Sequence, residues 1–370
     1  MAQTLMVIAQ IVEGFRQRGS WTKIQGIFKM CNLSTGRGWE ETTKKLINEQ
    51  DLNQDENFSK KVDQLFSYYN NFLLVSNKAV KLYSREREII NKWIVLFKSH
   101  EPEDNLFHEV YPFPLSKTRL NDLDESQKLV EIIDDDDKLV IIFCTKRFAI
   151  EKTEIDTHQL QEGARKELIN YDKVIGEKRT YYQYFDIVVL SKKENFIEVR
   201  VDITTSSPFK YLSSKDTDKA FYQTISSFNK LLREIVKTKE SLHTSTNVFP
   251  LIDRLYESDE GKVIELGFVT DGGSTKHEKM RKNSSCLRIE PYHDAGKRAI
   301  DHITPYRLAV SWDVENLDNF KNTLELSLPG NVKELSEVPA DLGRFLIKNC
   351  ICLEDYNFVL NKVLTYLKTS

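Results

Sequence analysis

A chain of 370 residues with 40% hydrophobic and 29% charged residues, and only 14 glycines and 9 prolines, has the composition of an ordinary folded protein; collagen-like, disordered and low-complexity architectures are excluded. Its formal net charge of −3 excludes the global basicity of a histone-like protein, so any contact with nucleic acid has to come from local patches. The five cysteines are odd in number and scattered, which argues against a disulfide framework and for a reducing compartment.

No run of about 18 apolar residues offers a membrane span. The opening residues lack a basic stretch and include Glu13, unlike a secretion signal. A protein that stays in the cytoplasm, away from membranes, is therefore expected. At this length two domains are expected rather than one, because domains commonly run to about 100–200 residues.

Residues 1–100 read as a mainly helical domain. Leu5, Ile8, Ile11, Val12 and Phe15 recur at helical spacing, and Gly19-Ser20 ends that helix and caps the next, Trp21 to Met30. After the break at Gly36-Arg37-Gly38, helices are expected over Trp39 to Glu49 and Phe58 to Tyr69. Phe72 to Val75 and Ala79 to Tyr83 then read as a short hairpin around Ser76-Asn77, followed by a helix from Ser84 to Phe97. Short helices and a small hairpin suggest a winged helix, and in residues 1–50 seven basic side chains (Arg16, Arg18, Lys23, Lys29, Arg37, Lys44, Lys45) face four acidic ones.

From 101 to 138 twelve acidic residues stand against four basic ones, which reads as an acidic linker; Tyr111-Pro112-Phe113-Pro114 keeps part of it extended, and Asp134 to Asp137 form a solvated turn. Residues 139–370 read as an α+β domain. A strand at Leu139 to Phe143 leads to a helix at His158 to Tyr171 and to a hairpin of Tyr184 to Leu190 with Phe196 to Thr204. A helix over Lys215 to Lys239 follows, then strands at Lys262 to Phe268, Cys286 to Ile289, Tyr306 to Trp312 and Leu324 to Leu328, and a helix from Leu353 to Leu367. The fold class expected is α+β, with an N-terminal helical, winged-helix-like domain and a mixed domain built around the antiparallel hairpin.

Two stretches could support chemistry. In the hairpin, Ile197, Val199, Val201 and Ile203 share one face and Glu198, Arg200, Asp202 and Thr204 the other. The charged row reads either as the solvent face of the strand or as a site that Asp186 joins from the neighbouring arm. Asp186, with Glu198 and Arg200 twelve and fourteen residues on, loosely resembles the PD-(D/E)xK nuclease core. The resemblance implies a catalytic set of Asp186, Glu198 and Arg200, with Mg²⁺ held by Asp186 and Glu198 and with Glu162 as a further carboxylate. It covers about twenty residues. No proline precedes Asp186, and where the motif has a lysine this chain has Arg200, whose guanidinium does not give up its proton.

The second stretch runs from Asp271 to Arg298. Lys276, Lys279, Arg281, Lys282, Arg288, Lys297 and Arg298 oppose four acidic residues, and Gly272, Gly273 and Gly296 free the backbone, a combination suited to phosphate. His293 and His302, nine residues apart, do not have zinc-site spacing, and Cys350 and Cys352 would share one strand face as packing. The leading expectation is an intracellular protein that binds DNA or RNA through the 276–298 segment, as part of a defence or nucleic-acid-processing assembly. The alternatives are the Mg²⁺-dependent nuclease and a non-catalytic protein-interaction subunit.

Overall fold

The computed structural model describes residues 2–52, 56–156, 158, 160–168, 170–204, 212–281, 285–315 and 321–368. Its strands are β1 (Lys78–Ser84), β2 (Lys128–Asp134), β3 (Lys138–Ile155), β4 (Val174–Ser191), β5 (Phe196–Asp202), β6 (Lys262–Thr270), β7 (Thr275–Lys279), β8 (Ile303–Glu315), β9 (Lys321–Leu328) and β10 (Phe345–Lys348). All pair antiparallel in one sheet of order β2-β3-β4-β5-β1-β10-β9-β8-β6-β7. The first helices are α1 (Ala2–Arg16), α2 (Trp21–Met30), α3 (Trp39–Leu52), α4 (Glu56–Val75), α5 (Arg87–Phe97), α6 (Leu106–Val110) and α7 (Lys117–Asp122). After them come α8 (Glu162–Leu168), α9 (Ser214–Leu231, continued by a π turn), α10 (Leu251–Glu257), α11 (Pro291–Arg298), α12 (Val332–Leu335) and α13 (Leu353–Lys368). The architecture is α+β with a helical N-terminal region.

Helices cover the central strands on both faces. On one face Val80, Leu82, Ile187 and Val189 pack with Phe15 of α1, Leu65 and Tyr69 of α4 and Tyr356 and Val359 of α13. On the other, Ala79, Ile141, Val188, Val199 and Val201 pack with Trp93 and Phe97 of α5 and Phe221 and Phe228 of α9. This explains the unbroken apolar runs of β3 and β4, since a strand buried on both faces has no polar side to alternate.

Several elements differ from the sequence reading. Phe72 to Val75 are the last turn of α4, not a hairpin arm, because Phe58, Val62, Leu65, Tyr69 and Phe72 continue one buried helical face into them. The wing is therefore not formed, and β1 becomes the central strand between β5 and β10. Residues 101–138 hold α6, α7 and β2, which pairs with β3. The helix expected at His158 to Tyr171 shortens to α8, and β3 and β4 each extend to 18 residues. Cys286 to Ile289 contains a 3₁₀ turn over Leu287–Ile289 instead of a strand. Among the described residues no helix is long and apolar enough to cross a membrane.

Candidate functional site

Strands β4 and β5 pair directly only from Ile187↔Arg200 to Leu190↔Ile197. Beyond that they fork, and side chains take over from the ladder. Asp186 Oδ1 accepts the backbone N–H of Asp202 at 3.0 Å, and Lys78 Nζ, from β1, donates to the Phe185 carbonyl at 3.1 Å. Arg18, just past α1, forms a salt bridge with the Asp202 carboxylate and donates to the Gln183 carbonyl at 2.9 Å. Lys78 Nζ lies 3.7 Å from the same carboxylate. Arg147 of β3 pairs with Asp186, whose Oδ2 also accepts from Gln127 Nε2 at 2.8 Å and lies 3.2 Å from the Thr224 hydroxyl of α9. Lys78, Asp186 and Asp202 are each 0% exposed. Buried charges persist only when paired and hydrogen-bonded, and here two guanidinium groups and one ammonium enclose two carboxylates.

The charged row of β5 is thus inside the molecule. The reading of Glu198, Arg200, Asp202 and Thr204 as a solvent face is corrected: all four are buried beneath the N-terminal helices and α13. Arg200 donates to Glu198 Oε2 from Nε at 2.9 Å and from Nη2 at 2.8 Å; the Tyr356 hydroxyl donates to the same oxygen at 2.9 Å, and the guanidinium sits 4.0 Å over the Tyr356 ring. Their partners come from residues far away in sequence, which alternation alone cannot reveal.

Asp186 and Glu198 do not meet. Glu198 is opposite Val189 in the β4–β5 register, on the face that bears Phe185, Ile187 and Asp202, whereas Asp186 points with Val188 toward α9. The acid that approaches Asp186 is Asp202. Both carboxylates are held by arginines that supply the positive charge a divalent ion would bring, and among the described residues no three His, Cys, Asp or Glu side chains are grouped to hold a metal. The residues present do not fit the Mg²⁺ site implied by the nuclease resemblance. Glu162 lies on exposed α8, paired with Lys166.

Electrostatics at the fork follow from burial and neighbours. Burial would raise the Asp202 carboxyl, but the Arg18 and Lys78 charges outweigh it and hold the group below the usual range. Burial pulls the Lys78 ammonium down to about 8, against the attraction of Asp202. A crevice of about 10 Å³, the size of one water, opens beside the fork between Gln17, Arg18, Tyr182, Gln183, Tyr184 and Thr204.

Past the fork, β3 and β4 leave the sheet as a two-stranded ribbon. Arg147↔Tyr182 to Ile155↔Val174 make nine pairs, a reach of roughly 30 Å. Among the described residues no further strand pairs with either edge there: β2 pairs with β3 only over 139–144, and β5 with β4 only over 187–190. One ribbon face carries Phe148, Ile150, Lys152, Ile175, Glu177, Arg179 and Tyr181. Arg179 lies 4.9 Å over the Phe148 ring, and Lys152 bridges Glu177 at 2.6 Å. Ile150 and Ile175 are 51% and 53% exposed.

The basic segment is dispersed. Lys276 and Lys279 lie on edge strand β7, Arg281 follows it, and Lys282 lies outside the described residues. Lys279 pairs with Glu265 at 3.0 Å, Lys297 approaches Glu257 at 3.7 Å, and Arg298 pairs with Asp294. Arg288 donates to the carbonyls of Leu255, Tyr256, Gly261 and Glu260, tying down the end of α10. His293 is buried between Glu278 at 2.7 Å and the Tyr256 hydroxyl at 2.9 Å. Only Lys276 and Arg281 of the set form no side-chain bond to other described residues.

The chain matches no family model, no curated protein and no solved structure. Function must therefore be argued from geometry. Sequence reasoning missed Lys78, Arg147, Gln127 and Tyr356, and counted Arg18 only among the basic side chains of residues 1–50. One local signal was present: Lys78 alternates with Val80 and Leu82 on a single face of β1, and a lysine at an inward position requires a buried acid.

Proposed function

We propose that the chain is a non-catalytic protein-interaction subunit that docks a partner protein along the β3–β4 ribbon. The observation that supports this reading is the ribbon itself: nine strand pairs whose side chains are half-buried or exposed, with no further described strand on either edge and two isoleucines about half exposed. An isolated two-stranded ribbon is marginal in water, and open edges accept a further strand, so such an element gains most when a partner completes it. The fork is the buried anchor from which the ribbon projects.

The test compares wild type with Ile150→Asp/Ile175→Asp as baits in the source cells, with quantitative mass spectrometry of what co-purifies. A protein held by wild type and lost from the variant, against an otherwise equal background, is the expected result; equal sets would sink the reading. Parallel anisotropy measurements with labelled DNA and RNA at two salt concentrations address the other class of partner. Salt-sensitive binding lost on Lys276→Glu/Arg281→Glu would favour the nucleic-acid function instead.

A further inference from the structure

We infer that the ribbon's partner is a second copy of this chain, joined edge to edge through β3 about a two-fold axis at Ile150. The inference rests on the docking reading above and names the occupant. Two neighbouring antiparallel strands related by a two-fold perpendicular to the sheet keep the same face up, so facing residues share parity, and each possible axis passes through one residue.

With the axis at Ile150, the two isoleucines face each other, Phe148 faces Lys152, Ala149 faces Glu151, Arg147 faces Thr153 and Lys146 faces Glu154. No like charges meet, and a cation lies against an aromatic ring; the Lys146 ammonium is already bonded to the Asn121 carbonyl at 2.8 Å and adds no contact of its own. Adjacent registers are worse. An axis at Ala149 sets Lys146 against Lys152, one at Glu151 sets that carboxylate against itself, and one at Lys152 does the same with ammonium. Like charges directly opposite across strands are destabilising.

Joining at Ile150 extends each two-stranded ribbon into one of four strands, β4-β3 continuing into β3-β4 of the second copy. The row across its middle on one face becomes Arg179, Ile150, Ile150 and Arg179, which covers the exposed aliphatic of β3 with its own equivalent. Three or more strands are what a ribbon needs for independent stability. The β4 edge is less suited: the crevice residues Tyr182 and Tyr184 border its base, and a two-fold at Ile175 would pair residues beyond the strand's start at Val174.

Register makes the inference testable. Cα atoms facing across an antiparallel pair lie about 4.5–5.5 Å apart, within disulfide reach. Ile150→Cys is expected to form an intermolecular disulfide under mild oxidation, whereas Ala149→Cys and Glu151→Cys, each facing a different residue, are not; wild type controls for the native cysteines. Sedimentation of the full chain over a concentration series should show a monomer–dimer equilibrium, weakened about tenfold or more by Ile150→Lys. A monomer at every concentration together with no Ile150→Cys cross-link overturns self-pairing. Equal cross-linking at all three positions also overturns it, because the register is then not selected. If self-pairing fails, the bait comparison still decides whether the ribbon docks a different protein; if the bait sets are equal as well, both readings fall.

Discussion

The inner and outer halves of β3 and β4 are one continuous pair of strands in two environments. Over Leu139–Cys144 and Phe185–Leu190 every residue is buried, and helices lie on both faces. Over Arg147–Ile155 and Val174–Tyr182 the same register continues, yet the side chains are half-buried or exposed. The backbone pairing is alike in both halves; what differs is the cover. A charge has a different worth in each. In the inner half the one acid, Asp186, is met by Arg147, Gln127 and Thr224, while in the outer half Glu177 meets Lys152 in solvent at 53% exposure.

The sharpest way to break that comparison is to remove one carboxylate from each environment. Asp202→Asn leaves Arg18 and Lys78 buried without their anion and is expected to destabilise by about 3–5 kcal/mol. Glu177→Gln on the ribbon is expected to cost under about 0.5 kcal/mol. Urea unfolding of both variants checks this. Comparable losses would show that the fork is as well solvated as the ribbon.

A somewhat smaller effect separates the presence of a buried pair from its integrity. Arg200→Met strands the Glu198 carboxylate under α13 and should cost about 3 kcal/mol, whereas Glu198→Leu/Arg200→Met removes both charges and should recover more than half of the loss. A double variant no more stable than the single one would mean that the pair contributes through specific hydrogen bonds, to Tyr356 among them, and not through the balance of buried charge.

Next comes the pH dependence of Lys78. Its ammonium is pulled by burial from 10.5 to about 8 in the folded chain. The native state therefore sheds this proton first, and unfolding takes one up between these two values, so stability rises with pH across that window. A displacement of this size corresponds to a swing of about 3 kcal/mol. Lys78→Met should lack the rise, and the difference between wild type and variant, measured by denaturation at pH 8, 9 and 10, isolates it from other groups that titrate in this range. Parallel pH profiles would show that Lys78 is hydrated in the native state.

The same contrast explains what could be read in the sequence. The β4–β5 hairpin, the long helix α9 and the α+β class were legible because period-2 and period-3.6 patterns are local. The face of Glu198, Arg200 and Asp202 was legible as a row, but not as a buried one. Its partners Arg18, Lys78, Leu74 and Tyr356 arrive from elements up to 184 residues away. Phe72 to Val75 misled for another reason: a four-residue apolar run fits a strand or the end of a helix equally well, and only α4 packing on the sheet decides. The ribbon hid behind the polar 146–182 stretch, where Phe148 and Ile150, and Ile175 and Tyr181, stand too sparsely among charged residues to mark strands.

The smallest expected effect on the isolated chain sharpens the comparison most. Ile150→Thr/Ile175→Thr removes two half-exposed aliphatics from a β-branched scaffold and should change the unfolding free energy of the monomer by less than about 0.5 kcal/mol. A loss of 2 kcal/mol or more in dilute solution would mean that the ribbon packs against the body, and the contrast between the two halves would fail. The concentration dependence adds a second axis, because a contact between copies stabilises by mass action and only when the copies meet. Wild type is expected to melt at a temperature that climbs with protein concentration, while the variant stays flat. If the two curves instead run parallel at every concentration, the outer half is an arm that the chain does not use on itself.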